Sequence, residues 1–203
     1  GEKEIDLYKY RIKNIRLTWC KQILDIIHHF NIKKINDLGC NYFQLYKEIN
    51  FQKKKYNYFG YDLEPKFIDI GLNKFKKFKK YKICNIESAK LRKADCSISS
   101  AVFEHLDNPK KFLNNIIKST KKLIIIRGQF GIQEHIKKTT WKTLKPLNFN
   151  QYSFKKIEKK FSNFGFDCFY ILDKATKYST MEKFLNSNKV HKRNTFILLG
   201  IKR

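Results

Sequence analysis

Apolar runs of membrane-spanning length are missing from this sequence. None approaches the ~20 residues that a bilayer-crossing helix needs, and no signal-peptide pattern is present, so no membrane span is expected. Cysteine is sparse and unpatterned. The five, at positions 20, 40, 84, 96 and 168, form no CxxC pair and no zinc-finger spacing, and their odd number argues against a disulfide framework. Most fall in apolar strand-like runs, where cysteine acts as a small core residue, and a reducing cytoplasmic setting is expected. Acids are scarce: 18 Asp and Glu stand against 44 Lys and Arg, giving a net charge of +26. Apolar residues are not scarce. At 42% hydrophobic and 15% aromatic, the 203 residues are too apolar for a disordered chain and long enough for one domain with a proper core.

The charge excess invites a nucleic-acid or anionic-surface partner. Arginine accounts for only 6 of the basic residues, and the Lys-, Asn-, Ile- and Phe-rich composition is also what an AT-rich genome produces. The densest basic run, Lys74 to Lys82, interleaves lysine with Phe75, Phe78 and Tyr81. It reads either as a platform for single-stranded nucleic acid or as a solvated helix end whose rings face the core.

The pattern that organises the chain is Lys34-Ile35-Asn36-Asp37-Leu38-Gly39-Cys40-Asn41, followed about twenty residues later by Tyr58-Phe59-Gly60-Tyr61-Asp62-Leu63. A short strand enters a glycine turn and a helix, and the next strand ends on a lone acid. That is how a nucleoside-bearing cofactor is held: glycine admits close backbone approach, and a carboxylate accepts the ribose hydroxyls. The dinucleotide fingerprint GxGxxG is missing, which disfavours a nicotinamide-dependent oxidoreductase.

Helical spacing from Ile5 to Phe30 predicts one or two amphipathic helices packed on the sheet. Strands are predicted at about 34–38, 56–63, 81–86, 94–101, 123–126, 167–172 and 195–201, and helices at about 42–49, 65–75, 109–118 and 153–164. Ser153 is the expected cap of the last helix. Alternating strands and helices imply an α/β fold, a single doubly wound, mostly parallel sheet of seven strands with helices on both faces. If the final strand is antiparallel, the irregular spans 128–152 and 173–194 emerge at the carboxyl edge, where ligands of such sheets bind.

The ordered set resembles the class I S-adenosylmethionine-dependent methyltransferases over about residues 30–203. The matching pieces are Asp37-Leu38-Gly39-Cys40-Asn41, Asp62, Cys84-Asn85-Ile86-Glu87, Ser100-Ala101-Val102-Phe103-Glu104-His105-Leu106 with Asn108-Pro109, and Tyr152 to Phe166. The resemblance implies a Rossmann-like seven-stranded sheet with a reversed last strand and S-adenosyl-L-methionine as cofactor. Asp37, Gly39 and Asn41 would line its methionine end, Asp62 and Leu63 would meet the ribose, Asn85 and Ile86 the adenine, and Ser99 or Ser100 would sit beside the cofactor at the end of the fourth strand. The chain departs from the family at Asn41 and Phe43, where relatives usually carry glycine. Phenylalanine there removes backbone freedom and adds bulk near the cofactor, the ground for a non-catalytic cofactor-binding alternative.

Methyl transfer from a sulfonium needs positioning and, for a hydroxyl acceptor, proton removal. His105 or His135, with Glu104 beside the former, are the candidate catalytic groups; structural roles for Glu104 and His105 as loop holder and helix cap are equally open. Some relatives acting on small RNAs bind a divalent ion through a Glu-x-x-Glu-His cluster. Ala101 stands at the first glutamate position, so no metal is expected. The acceptor is read as a small molecule such as a sugar or a nucleotide-linked metabolite. A nucleic-acid methyltransferase using the lysines is the alternative, against which the Asn/Asp-Pro-Pro-Tyr/Phe motif of base amino-methylation is absent.

Overall fold

The computed structural model describes residues 2–136, 138–139, 147–175, 182–183, 190–191 and 195–203. In chain order the elements are α1 (Glu2–Asn14), α2 (Thr18–His29), β1 (Lys34–Leu38), α3 (Gln44–Phe51), β2 (Asn57–Asp62), α4 (Pro65–Lys74), β3 (Tyr81–Ile83) and β4 (Ala94–Ser100). A 3-10 turn at Phe103–His105 leads to α5 (Pro109–Ser119) and the long β5 (Thr120–Gly131). The short strands β6 (Lys138–Thr139), β7 (Leu147–Asn148) and β8 (Tyr152–Ser153) precede α6 (Phe154–Ser162) and β9 (Phe166–Leu172). The chain closes with β10 (Glu182–Lys183), β11 (Val190–His191) and β12 (Thr195–Lys202).

The main sheet runs β3-β2-β1-β4-β5-β12-β9, parallel from β3 to β5, with β12 antiparallel to both its neighbours. This is the expected α/β sheet with a reversed last strand. It gains an eighth member because β8 pairs in parallel with Phe130 and Gly131 at the end of β5. The fifth strand is therefore longer than 123–126. Residues 128–131 belong to it rather than to an edge loop, since β12 offers a partner for each backbone group through Gln129.

Both faces of the sheet are covered, which is why β5 reads as an unbroken apolar run rather than an alternation. Leu123 and Ile125 meet α2 and α3 on one face, and Ile124 and Ile126 meet α5 and α6 on the other. All four are fully buried, each contributing about 1.5–3 kcal/mol relative to exposure. The N-terminal segment forms two helices. Only α2 packs on the sheet, burying Cys20, Ile23, Leu24 and Ile27, whereas α1 sets Ile5, Tyr8 and Ile12 against Tyr42, Phe67 and Ile70. Pro65 and Pro109 occupy first helical turns, where the missing N–H is harmless. Asn108 caps α5 by accepting from the Lys111 amide at 3.0 Å. Ser153 makes no such side-chain cap, because it is held in β8. Trp141, Pro146 and most of 173–194 lie outside the described residues. No described helix is long and apolar enough to cross a membrane.

Phe43 does not stand over the crevice. Its backbone is left-handed (φ 61°), as are Asn41 (φ 51°) and Gly39 (φ 83°), so the turn after β1 keeps a glycine-like conformation without glycine at two of three positions. The Phe43 ring is fully buried in the core against Phe78 and Tyr81. Gly71 and Gly60 make the room: a Cβ on either would meet the Phe43 ring, at 2.3 and 3.2 Å. A buried phenylalanine ring is worth about 3–5 kcal/mol against alanine, and a left-handed non-glycine residue costs about 1–3. Burial wins, and the strained turn persists.

Candidate active site

Parallel order reverses between β1 and β4, and the crevice opens at their carboxyl ends. Gly39 lies there under two constraints. Its φ is positive, and a Cβ would lie 2.2 Å from Cγ2 of Val102, which arrives from the loop after β4. The Gly39 and Cys40 amides donate to the Tyr61 carbonyl at 2.8 and 2.9 Å, tying the turn to the end of β2.

Asp62 ends β2. Its Oδ2 accepts from the Asn41 amide at 2.7 Å and its Oδ1 from the Glu64 amide at 3.0 Å. One carboxylate thus clamps two loops while each oxygen keeps a further lone pair. Burial raises its pKa above the ordinary carboxylate range, opposed by the backbone N–H groups of Glu64, Asn41 and Leu63. Leu63, next along, is exposed. Asn41 turns its own Oδ1 back to the Tyr42 amide at 2.8 Å.

Asp37 points into the core beneath this turn, where its Oδ2 accepts from the buried Tyr58 hydroxyl at 2.6 Å. Burial pushes its pKa up to about 7, against the lowering effect of the Tyr58 hydrogen bond, with the Asp62 charge adding to the rise. A carboxyl that the fold holds more readily protonated than the unfolded chain does stabilises below the unfolded value near 4. That contribution is lost as pH rises to about 7, a span worth roughly 4 kcal/mol. Asp37→Asn keeps an acceptor for Tyr58 and removes the titration. The variant is expected to match the wild type in thermal midpoint near pH 4.5 and to exceed it by roughly 10 °C at pH 8. A wild-type advantage that grows with pH would overturn this account.

The other sequence-predicted residues are distributed unevenly. Asn85 is exposed on the loop after β3, which ends at Ile83 rather than Ile86, and its Oδ1 accepts from the Glu87 amide at 2.9 Å. Ile86 is buried, its carbonyl accepting from Asn115. Ser99 is fully buried between Leu38 and Ile126, with no partner for its hydroxyl among the described residues; it lies under the crevice rather than on its surface.

Glu104 and His105, adjacent in sequence, diverge. Glu104 is buried against Gly128, and its carbonyl accepts from the Asn150 amide at 2.9 Å. His105 is half-buried, with Nδ1 2.7 Å from the Asn148 carbonyl oxygen. A carbonyl can only accept, so Nδ1 carries the hydrogen and the neutral ring keeps its lone pair on Nε2. His135 is exposed and pairs through its backbone with Gln151, at 2.9 and 2.8 Å. The 148–151 segment therefore holds both candidate bases, three residues apart.

Sequence reasoning missed the framework behind these groups. Tyr152 donates to the Phe103 carbonyl at 3.0 Å and stacks on its ring, fixing the turn that carries His105. Arg127 pairs with Asp173 at 2.8 Å, both nearly buried, with Trp19 of α2 over the guanidinium. The signal for Arg127 was a lone cation closing the most apolar strand. Among the described residues no cluster of three or more His, Cys, Asp or Glu could hold a metal.

The residues present fit an adenosyl cofactor. Gly39 has no side chain in the crevice, Asp62 retains acceptor capacity, and the bulk expected from Phe43 is in the core.

Residues 36–123 match the family model described as a methyltransferase domain. No curated protein matches the sequence. An S-adenosylmethionine-dependent methyltransferase from Clostridium acetobutylicum ATCC 824 superposes with a TM-score of 0.64 at 14% identity, over 99% of this chain and 98% of that one. The N-terminal domain of EvdMO1, crystallised in the presence of SAH and D-fucose, gives 0.67 at 11% identity over 91% and 83%. The glycopeptide N-methyltransferase MtfA, complexed with S-adenosyl-L-methionine, gives 0.60 at 7% over 91% and 87%.

Proposed function

We propose that this chain is a class I S-adenosylmethionine-dependent methyltransferase, a reading supported by the methyltransferase-domain match over residues 36–123, and that it methylates a small-molecule acceptor, a sugar or a nucleotide-linked metabolite, with His105 as general base. When bound, the cofactor supplies a methyl group on a sulfonium. Asp62 accepts the ribose hydroxyls while its amide contacts hold the turns after β1 and β2. Asn85 and Ile86 would flank the adenine side, Leu63 the ribose, and Gly39 and Asn41 the methionine end, with Asp37 and Ser99 buried beneath it. His105 Nε2 would take the proton of the acceptor hydroxyl, and the Asn148 carbonyl would stabilise the resulting imidazolium through Nδ1–H. The observation that carries the reading is this tautomer, held at the carboxyl end of β4 beside the strand-order reversal.

A small acceptor is supported by two further observations. The densest lysine run, 74–82, leads from the end of α4 into β3, at the sheet edge opposite the crevice. EvdMO1 was crystallised with a sugar and MtfA is a glycopeptide enzyme.

The deciding experiment measures transfer of labelled methyl from S-adenosylmethionine to a panel of sugars, nucleotide sugars and RNA, at 50 and 200 mM salt. A small-molecule acceptor turns over with rates that scarcely change with salt. An RNA acceptor engaging about six phosphates would lose roughly a thousandfold in affinity over that range, and activity confined to RNA with such a loss would overturn the small-molecule reading.

A further inference from the structure

At the amino edge of the sheet, the 75–80 loop and the start of β2 border an open cavity of about 650 Å³, within the range of small-ligand sites. Its walls are Tyr46 from α3, Tyr56 and Tyr58 from β2, Phe75 and Phe78, and the lysines 74, 76, 77, 79 and 80. Asp62 stands at the other end of the six-residue β2, roughly 17 Å away at strand rise, so this is not the crevice described above.

Among the described residues no acid lines the cavity. Lys74 donates to the Ile12 carbonyl at 2.8 Å. Lys76, Lys77, Lys79 and Lys80 are exposed, and none is ion-paired with a described carboxylate. Four like charges around one concavity repel each other, and low-dielectric walls focus their field inward. An anion with several charged oxygens relieves that repulsion.

The rings add a second requirement. Phe78 is buried and packs against Tyr46 with ring centroids 4.3 Å apart, so it is not a free platform, but Tyr46, Tyr56 and Phe75 remain half-buried with part of each ring toward the cavity. Ammonium groups beside partly open aromatic faces match a phosphate joined to a planar base.

We propose that this cavity is a second binding site, for a nucleotide whose phosphates meet Lys76, Lys77, Lys79 and Lys80 while its base lies against Tyr46 and Tyr56. Its ligand is either a free nucleotide or a segment of single-stranded nucleic acid, which share this chemistry. The proposal stands independently of methyl transfer.

Calorimetry on the full chain saturated with S-adenosylhomocysteine, using UDP, pyrophosphate and a ten-residue oligothymidylate as probes, tests it. UDP is expected to bind more tightly than pyrophosphate. The double variant Lys76→Glu/Lys79→Glu should weaken it about tenfold, and Tyr56→Leu should weaken UDP while sparing pyrophosphate. Oligothymidylate binding tighter than UDP, with a steep salt dependence, identifies nucleic acid as the source. Heat from none of the three probes, or lysine variants that bind like the wild type, would overturn the site. Equal affinity for UDP and pyrophosphate would overturn the role of the rings. Unchanged S-adenosylhomocysteine affinity in the variants shows that the fold is intact. Its failure to bind the wild type would count against the crevice reading alone.

Discussion

Asp62→Ala is expected to weaken S-adenosylhomocysteine binding by about 10²–10⁴-fold in calorimetry. Two hydrogen bonds from ribose hydroxyls to an ionised acceptor are lost, each worth about 1.5–3 kcal/mol. The same substitution frees the Asn41 and Glu64 amides that the carboxylate holds at 2.7 and 3.0 Å, so the turns on either side of the ribose lose their common anchor. Asp62→Asn separates the two contributions. It keeps one carbonyl acceptor but sets an NH2 group against one of those amides, and an intermediate loss of about tenfold is expected. Affinity should also fall with acid. Protonation turns one acceptor oxygen into a donor, and because burial holds this carboxyl above the ordinary range, the fall begins at a higher pH than a solvated aspartate would give. Unchanged affinity in Asp62→Ala would place the nucleoside elsewhere and remove the basis of the cofactor geometry.

What the sequence disclosed about this site follows the locality of each constraint. Gly39 was legible because both of its demands, a positive φ and the approach of Val102, act on one backbone position. Asp62 was legible because a strand ending on an acid is a local pattern. Phe43 misled for the opposite reason. Its direction is decided by Gly60 on β2 and Gly71 on α4, 17 and 28 residues away, and no pattern within the turn announces that the ring has room below. The extent of β5 was hidden in the same way: Arg127, Gly128 and Gln129 read as loop, yet β12 supplies their hydrogen-bonding partners from the far end of the chain. Glu104 and His105 invited treatment as a pair, and a 3-10 turn sends one side chain onto Gly128 and the other toward the 148–151 segment. Placement fixed by one residue and its backbone could be read in advance, whereas placement that depends on which distant segment covers a side chain could not.

His105→Gln is expected to lower kcat by about 10²–10⁴-fold, the usual contribution of a positioned general base, with S-adenosylhomocysteine affinity within about twofold of wild type. Glutamine can still donate to the Asn148 carbonyl, so the local hydrogen bond survives and the lost feature is the Nε2 lone pair. The readout that separates catalysis from scaffolding is the split between kcat and KM, with the thermal midpoint beside it. In His105→Gln kcat should fall while KM and the thermal midpoint stay near the wild-type values. His135→Gln supplies the contrast. Among the described residues His135 is held through its backbone, at 2.9 and 2.8 Å to Gln151, and its exposed ring finds no partner there to select a tautomer, so the variant should retain kcat within about threefold. The reverse outcome, with His135→Gln losing kcat and His105→Gln keeping it, would move the proton acceptor to the loop after β5. His105 would then be a structural link between the 3-10 turn and Asn148, a role whose loss lowers thermal stability without lowering kcat.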